Sequence, residues 1–568
     1  MRKPLRSILV GLSCLAVLPV AVILLLTLYG AALYLLCDFK EPALDASLSE
    51  YALSVRTDSL RVCGNNTLRL DDSGLWEVRV EGPADVRGAV YGLLCRDLLE
   101  YQENAFVKFI HGMIPSESYV RFLHGAVMVF NRSMASHIPA ELRSEIAAMS
   151  LSCTREYDVY GSPYVRQLNY HAAHDIGHAM QEYMLVGCSS FAVHGSSSAG
   201  GELLIGRNFD FHAGDAFAEN KVVLFVKPDS GYRFASVSWP GMMGVVSGMN
   251  EKGLTVTLNA AKGRLPLSSA MPVSLLARMI LQYASDMDEA LAIARAHSTF
   301  VSESFLIGSA ADGCAAVIEK TPQHTELYSV AGERLVCTNH YQSQAFADDR
   351  YNVENMASSD SRYRHERLCE LIEEHAPLTP AACAEILRDR FGKGGADIGL
   401  ANEKSINQFA AHHSVIFSPS TLRMWVSTAP WQCGGYVCYD LHKVFGCDGP
   451  CFESLADAGN NIPPDARFFS SGECERVAAH RAMSAVMRRA LASGEPLPEG
   501  FAERFIANNP CFYGVYDLAG DCSLRGGDAA GAVRLWRKAL SCEIPHLRVR
   551  GDIEKKIHKY DKKQRAAL

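Results

Sequence analysis

No stretch of this chain carries a basic stripe long enough to follow a phosphate backbone. Its 63 acidic residues outnumber 55 lysines and arginines, for a formal net charge of -8 and a pI near 6.2. Nucleic acid is thereby removed from the partners to consider. Charge is missing altogether between Ser7 and Cys37. That gap of about 30 positions is long enough to cross a bilayer and exceeds the apolar region of about 7–15 residues in a cleaved signal peptide. Arg2, Lys3 and Arg6 precede it, and Asp38, Lys40 and Glu41 follow. The basic excess on the N-terminal side puts residues 1–6 in the cytoplasm, makes 7–37 a transmembrane signal-anchor, and leaves the rest in the periplasm or at the cell exterior. A cleaved signal peptide is the competing reading. Cys37 raises a lipoprotein reading, against which Leu36 stands where a small residue would be needed. Tight Cys-Xaa-Xaa-Cys pairs are also missing around the cluster Cys433, Cys438, Cys447 and Cys451, so disulfides or buried thiols suit these four better than a structural zinc. Some of the 18 cysteines are expected to pair if the chain faces an oxidising compartment.

What is present is ordinary globular composition: 48% hydrophobic and 21% charged over 568 residues, which suits two or three domains. Beyond Ala84 the segment 38–187 looks mostly helical, with apolar residues at helical spacing in Val86–Glu103, Ser116–Phe130 and Pro139–Met149. From Cys188 the texture changes to short strand-like runs (Ser189–Val193, Glu202–Ile205, Lys221–Val226, Phe234–Trp239, Leu254–Leu258) broken by Gly, Asp and Asn. Helical stretches follow at Val273–His297 and Arg364–His375, and further strand-like pieces at Ala315–Glu319, His413–Ser418 and Leu422–Ser427. Strands and helices in separate groups predict an α+β region with mainly antiparallel sheets over 188–455. The region 456–568 turns helical again. Within it Asn509–Ile544 reads as one tetratricopeptide-like pair about a Gly526-Gly527-Asp528 turn, although such arrays need several repeats to stand alone.

The chemistry concentrates at Val186-Gly187-Cys188-Ser189-Ser190-Phe191. A small residue before a cysteine leaves the preceding carbonyl open to attack by the thiol. An N-to-S acyl shift followed by hydrolysis would free an α-amino group on Cys188. With an unperturbed pKa of about 7.7–8.0, that amine accepts the thiol proton at neutral pH, so nucleophile and base share one residue. Downstream, Gly206-Arg207-Asn208-Phe209-Asp210 offers an arginine that would favour thiolate and a carboxylate that would orient the amine. Residues three apart point to opposite faces of a strand, so convergence of Arg207 and Asp210 on one point calls for a local bend.

Gly-Cys-Ser-Ser-Phe, Gly-Arg-Asn-Phe-Asp and Met249-Asn250-Glu251-Lys252-Gly253-Leu254, in that order, resemble the cysteine N-terminal-nucleophile (Ntn) hydrolases. These comprise the penicillin acyltransferase-like, choloylglycine hydrolase and acid ceramidase-like proteins. The long segment before Cys188, with Gly82-Pro83 leading into a helix, is most similar to the penicillin acyltransferase-like group. The resemblance implies an αββα sandwich, and it implies site roles. Cys188 would be nucleophile and new N-terminus, after autocleavage between Gly187 and Cys188. Arg207 and Asp210 would flank it. Asn259 in Thr257-Leu258-Asn259-Ala260 would stabilise the oxyanion, Asn339 in Cys337-Thr338-Asn339-His340 would be a second active-site asparagine, and Arg362 in Asp360-Ser361-Arg362-Tyr363 a supporting arginine. It further implies that the released segment stays bound as a small subunit, here carrying the membrane anchor.

The expected function is an autoproteolytically matured amidase or acyltransferase acting on a linear amide, such as an N-acyl amino acid or acylated amine, with no cofactor and no metal. Two other classes remain open. One is a membrane-anchored interaction protein on a degenerate hydrolase fold. The other is a metal-dependent hydrolase built on His171, His174, Asp175 and His178, whose spacings of three and four share a helical face.

Overall fold

The computed structural model describes residues 24–25, 27–33, 37, 39–179 and 186–567, with only the backbone given for a few, His174 and His178 among them. Most of the expected anchor 7–37 and the loop 180–185 ahead of Cys188 lie outside these residues. Among the described residues no helix is long and apolar enough to cross a membrane.

The segment before Cys188 opens with strands that helical periodicity did not anticipate: β1 (Val55–Arg56), β2 (Leu60–Cys63), β3 (Asn66–Leu70) and β4 (Trp76–Gly82), joined as an antiparallel meander. Trp76, Val78 and Val80 alternate along β4 with Glu77, Arg79 and Glu81, the period of a strand. Helices follow the strands at Ala84–Leu94, Arg96–Met113, Glu117–Phe130, Ala140–Ser150, Pro163–His171 and Ala173–Ala179. Helices Ala84–Leu94 and Ala140–Ser150 touch through glycine: a Cβ on Gly88 would lie 2.1 Å from the Glu145 carbonyl oxygen.

The remaining strands are β5 (Val186–Gly195), β6 (Gly201–Phe211), β7 (Val222–Pro228), β8 (Phe234–Ser238), β9 (Ser247–Asn250), β10 (Leu254–Ala260), β11 (Glu303–Ser309), β12 (Cys314–Lys320), β13 (Thr325–Tyr328), β14 (Arg334–Cys337), β15 (Ala411–Ser418), β16 (Arg423–Ser427) and β17 (Tyr436–Asp440). They build two sheets, β1-β2-β3-β4-β7-β8-β9-β10-β11-β12-β13 and β14-β5-β6-β15-β16-β17. β4 runs parallel to β7 in register from Trp76 opposite Val222 to Gly82 opposite Pro228, so the N-terminal segment extends the larger sheet by four strands. Ile205, Phe225, Leu306, Val317, Val415 and Phe417 fill the space between the sheets. Helices Val273–Tyr283 and Met287–Ala296 pack with the N-terminal helices on the outside of the larger sheet. Helices Ser361–His375 and Pro380–Leu387 cover the smaller one. The result is a mixed α+β sandwich, helices outside and two sheets inside.

The C-terminal helices, from Glu473–Ser493 to Leu547–Ala567, close a core of their own around Trp536, Val515 and Phe505. Helices Tyr513–Arg525 and Ala529–Leu540 cross at Gly520, where a Cβ would meet the Trp536 ring at 2.5 Å. This region docks on the sandwich: the Asn509 amide accepts from the Leu400 N–H and donates to the Leu400 carbonyl, both at 2.9 Å.

Candidate active site

Cys188 sits near the start of β5, fully buried, where β5 pairs with β6. The register sets Cys188 opposite Phe209, Gly187 opposite Asp210 and Ser190 opposite Arg207. Side chains directly opposite share a face, so Cys188 and Arg207 point into the space between the sheets. Asp210 points the other way, beside Gly187. The expected bend is absent: β6 runs straight through from Gly201 to Phe211, and Arg207 and Asp210 address Cys188 from opposite faces. Gly206 is required for this packing, because a Cβ there would lie 2.5 Å from the Phe191 ring. At Gly187 a Cβ would come within 3.3 Å of Gln408 Nε2 and 3.7 Å of the Asp210 Cβ.

On the inner face, Arg207 donates from Nη2 to the Cys188 sulfur at 3.6 Å and to the Leu258 carbonyl, and from Nη1 to Ser247 Oγ at 2.6 Å. An arginine can only donate, so the Ser247 hydroxyl must pass its own proton onward, to His413 Nε2 at 2.8 Å. His413 Nδ1 then donates to His412 Nδ1 at 3.0 Å. Both histidines are held neutral, first by burial. This chain behind Arg207 has no motif in the sequence and was not anticipated.

Asn339 accepts the Cys188 backbone N–H at Oδ1, 3.0 Å away, and donates from Nδ2 to the Ala260 carbonyl at 2.8 Å. Asn259 bridges the sheets: its oxygen accepts from Ser190 Oγ at 2.8 Å and one of its N–H groups donates to the Cys337 carbonyl at 3.0 Å. The second amide hydrogen of Asn259 has no partner among the described residues.

The supporting arginine is not Arg362. That side chain is 67% exposed and pairs with Glu366 one helical turn on. Arg364 is the buried one. It donates to the Cys188 carbonyl at 2.5 Å, to Asn339 Oδ1 at 2.7 Å, to Ser189 Oγ at 3.1 Å and to Asp360 at 3.1 Å. It thus fixes the backbone of Cys188 and the asparagine that holds it.

Burial pushes the Cys188 thiol up to about 11, only partly offset by Arg207. Burial also raises Asp210 to about 7 against the pull of Arg364 and Arg207, and neither Asp210 oxygen has a hydrogen-bond partner among the described residues. Glu303, at the head of β11, is buried with both oxygens unpartnered among the described residues and is pushed well above the usual carboxylate range by burial, then by Asp175. It too lay outside any motif.

Of the histidine run before Cys188, the structure describes the side chains of His171 and Asp175, and both are tied into the packing. His171 donates from Nδ1 to the Gln167 carbonyl and accepts the Met243 N–H at Nε2, and Asp175 accepts the Val273 N–H. Among the described residues no cluster is arranged to hold a metal ion.

Two facing sheets between helices, with a buried cysteine at the head of a central strand, define an Ntn-hydrolase-like fold. Residues 197–429 match the model of the family described as acyl-coenzyme A:6-aminopenicillanic acid acyl-transferase. A protein of Archaeoglobus fulgidus described as uncharacterized is 24% identical over 401 residues, or 63% of this chain. The match spans 65% of that relative's own length. Similar solved structures include a Caenorhabditis elegans N-acylethanolamine-hydrolyzing acid amidase ortholog, at 15% identity over 41% of this chain and 93% of that one, with a TM-score of 0.30. A conjugated bile acid hydrolase variant from Clostridium perfringens gives 13%, 45%, 93% and 0.30. Penicillin V acylase from Agrobacterium tumefaciens gives 13%, 45%, 87% and 0.31. Superpositions this loose transfer no residue role.

Proposed function

We propose that the chain cuts itself before Cys188 and that the freed cysteine hydrolyses a linear acyl amide. The observation that carries this reading is Asp210: a fully buried carboxyl, without a hydrogen-bond partner among the described residues, directly across the ladder from Gly187. Cutting supplies the missing partner. The thiol attacks the Gly187 carbonyl carbon, its proton ends on the Cys188 nitrogen, and water hydrolyses the resulting thioester. Gly187 then leaves as a carboxylate, and the new ammonium of Cys188 stands beside Asp210, with Asn339 already placed at the same nitrogen.

In turnover the neutral amine takes the thiol proton. The thiolate, facing Arg207, attacks the substrate carbonyl, and the free Asn259 N–H is placed to receive the oxyanion, a contribution of about 2.7–4 kcal/mol. The proton then passes to the departing amine, and water resolves the thioester. Hydrolysis is favoured over transfer because water is always available. Two cavities are lined by residues that follow site residues closely in the chain. One, of about 250 Å³, is apolar, lies among the N-terminal helices and is lined by Phe109, Ile110, Leu123, Ile176 and, beside Asp210, Phe211. The other, of about 950 Å³, begins just past Asn259 and Asn339 and is lined by Lys262, Arg264, Ser302, Tyr341 and Asp348. The first suits an apolar acyl group and the second a polar or ionised amine portion, as in an N-acyl amino acid.

The N-terminal segment remains attached as a small subunit in this reading, because the β4–β7 ladder and a buried ion network cross the cut. With the anchor in place, the site would be tethered on the extracytoplasmic side. Intact mass and N-terminal sequencing of wild type beside Cys188→Ala test the proposal. A fragment starting at Cys188-Ser189-Ser190 in wild type alone is the expected result. An uncut wild type would leave the amine unformed and bring forward the interaction-protein reading.

A further inference from the structure

We propose that Cys447 and Cys451 form a reversible disulfide that fastens the loop 447–455 onto the N-terminal strands. After the short helix Leu441–Gly446, the chain turns through Cys447-Asp448-Gly449-Pro450-Cys451. Gly449 takes a left-handed φ of 82°, a conformation that side chains resist. The turn brings the two sulfurs to 2.9 Å.

What the loop grips is the segment before Cys188. Arg79 of β4 is 4% exposed. It donates to the Cys447 carbonyl at 2.5 Å, to the Gly449 carbonyl, and to the Cys451 sulfur at 3.6 Å. Glu77, also on β4, accepts from Ser454 Oγ at 2.7 Å and from the Leu455 N–H at 3.0 Å. Arg69 of β3 donates to the Phe452 carbonyl at 2.9 Å. The polar face of β4 is therefore buried under this loop, and three acceptors of Arg79 lie within the five residues that a disulfide would close into a ring.

Cys447 is partly exposed and Cys451 buried, which sets the order of events. The Cys447 thiolate attacks an external disulfide, such as oxidised glutathione, forming a mixed disulfide and releasing one thiol. Cys451 then attacks the Cys447 sulfur, releasing the second. Two protein thiols are oxidised, and one external disulfide is reduced to two thiols. A ring this small removes little chain entropy from the unfolded state, so its effect is local, on the grip on β4, and independent of whether the chain is cut.

The test uses the full chain, equilibrated with oxidised or reduced glutathione, then alkylated, digested and weighed. The expected result is a peptide with Cys447 and Cys451 joined after oxidation and both alkylated after reduction. Hydrogen exchange should slow across Trp76–Gly82 in the oxidised wild type relative to the reduced, with no such difference in Cys451→Ser. Alkylation of both thiols after oxidation, or pairing of either with a different cysteine, would overturn the disulfide. Equal exchange in the two redox states of wild type would overturn the latch.

Discussion

At Cys188 the residues divide by face. Arg207 serves the thiol, while Arg364 serves the backbone, and Arg362 serves neither. Positions two apart on a helix differ by about 200° in direction. Arg362, Arg364 and Arg367 stand in one short run, so the motif located the helix and only the helix phase could pick the inward arginine. Arg364→Ala should slow self-cutting by about 10²-fold, the scale of losing one preorganised donor, whereas Arg362→Ala, which removes an exposed i,i+4 pair, should change it less than twofold. The time course of the Cys188-initiated fragment decides between them, and equal rates in the two variants would reject the assignment of Arg364. Cys188, Arg207, Asp210, Asn259 and Asn339 could be picked out because each stands in a short phrase with neighbours of fixed type, and the fold brings them together around the head of β5. Ser247, His413 and Glu303 were not, since their importance lies only in what the fold brings beside them.

Asp210 also makes a pH prediction. Its pKa rises from an ordinary 3.8 to about 7 in the fold, so the folded chain binds the proton more tightly than the unfolded one. Stability from this group is complete below about pH 4 and is lost as pH rises towards 7, by at most about 4 kcal/mol. Set in the uncut Cys188→Ala background, Asp210→Asn should match its parent near pH 4 and exceed it at pH 8. Urea midpoints at the two pH values measure the gap, and a gap that does not grow with pH would mean that Asp210 is solvated or paired.

Among elements, β4 and the helices after it decide what happens once the chain is cut. Arg87 bonds Glu145 and Glu141, each at 3.0 Å, and Glu145 bonds Arg278 across the cut at 3.2 Å. Glu145→Ala would leave two buried guanidiniums with less than their charge balance, a loss of about 3–5 kcal/mol for a broken buried pair. The two fragments should then separate on gel filtration in moderate urea where the wild-type fragments co-elute. Separation at the same urea concentration would show that the ladder alone holds them. The helices of this segment were readable from their apolar spacing. β1 to β4 were not, because their strands are short and the polar face of β4 is buried under the loop 447–455 instead of solvated. The same helices frame the apolar cavity, so Leu123→Trp should lower kcat/KM for long-chain acyl amides more than for acetyl amides. A uniform change across chain lengths would place the acyl group elsewhere.

For the whole molecule, the question is whether the C-terminal helices are an appendage. Their helical character was legible, but what they touch was not. Arg481 in helix Glu473–Ser493 donates to the Phe409 carbonyl and pairs with Asp215. Phe409, with a φ of 53° unusual for a side-chain residue, packs on Phe468 with centroids 5.7 Å apart. It directly follows Gln408, whose amide backs Gly187 and bonds His212, and it leads into β15, where Ala411 pairs with Asp210. The tail therefore holds in place a strained turn whose neighbour Gln408 lies beside Gly187, where the proposed cut falls. Strain of this kind persists only where the surroundings enforce it. Arg481→Ala should leave the chain folded by circular dichroism yet slow the appearance of the Cys188 fragment several-fold. Removal of residues 466–568 should expose Leu400, Phe409 and Cys433 and give aggregated, uncut protein. A soluble truncation that cuts itself at the wild-type rate, with Arg481→Ala equally unaffected, would make the tail an independent module and leave the turn at Phe409 to be held by the sandwich alone.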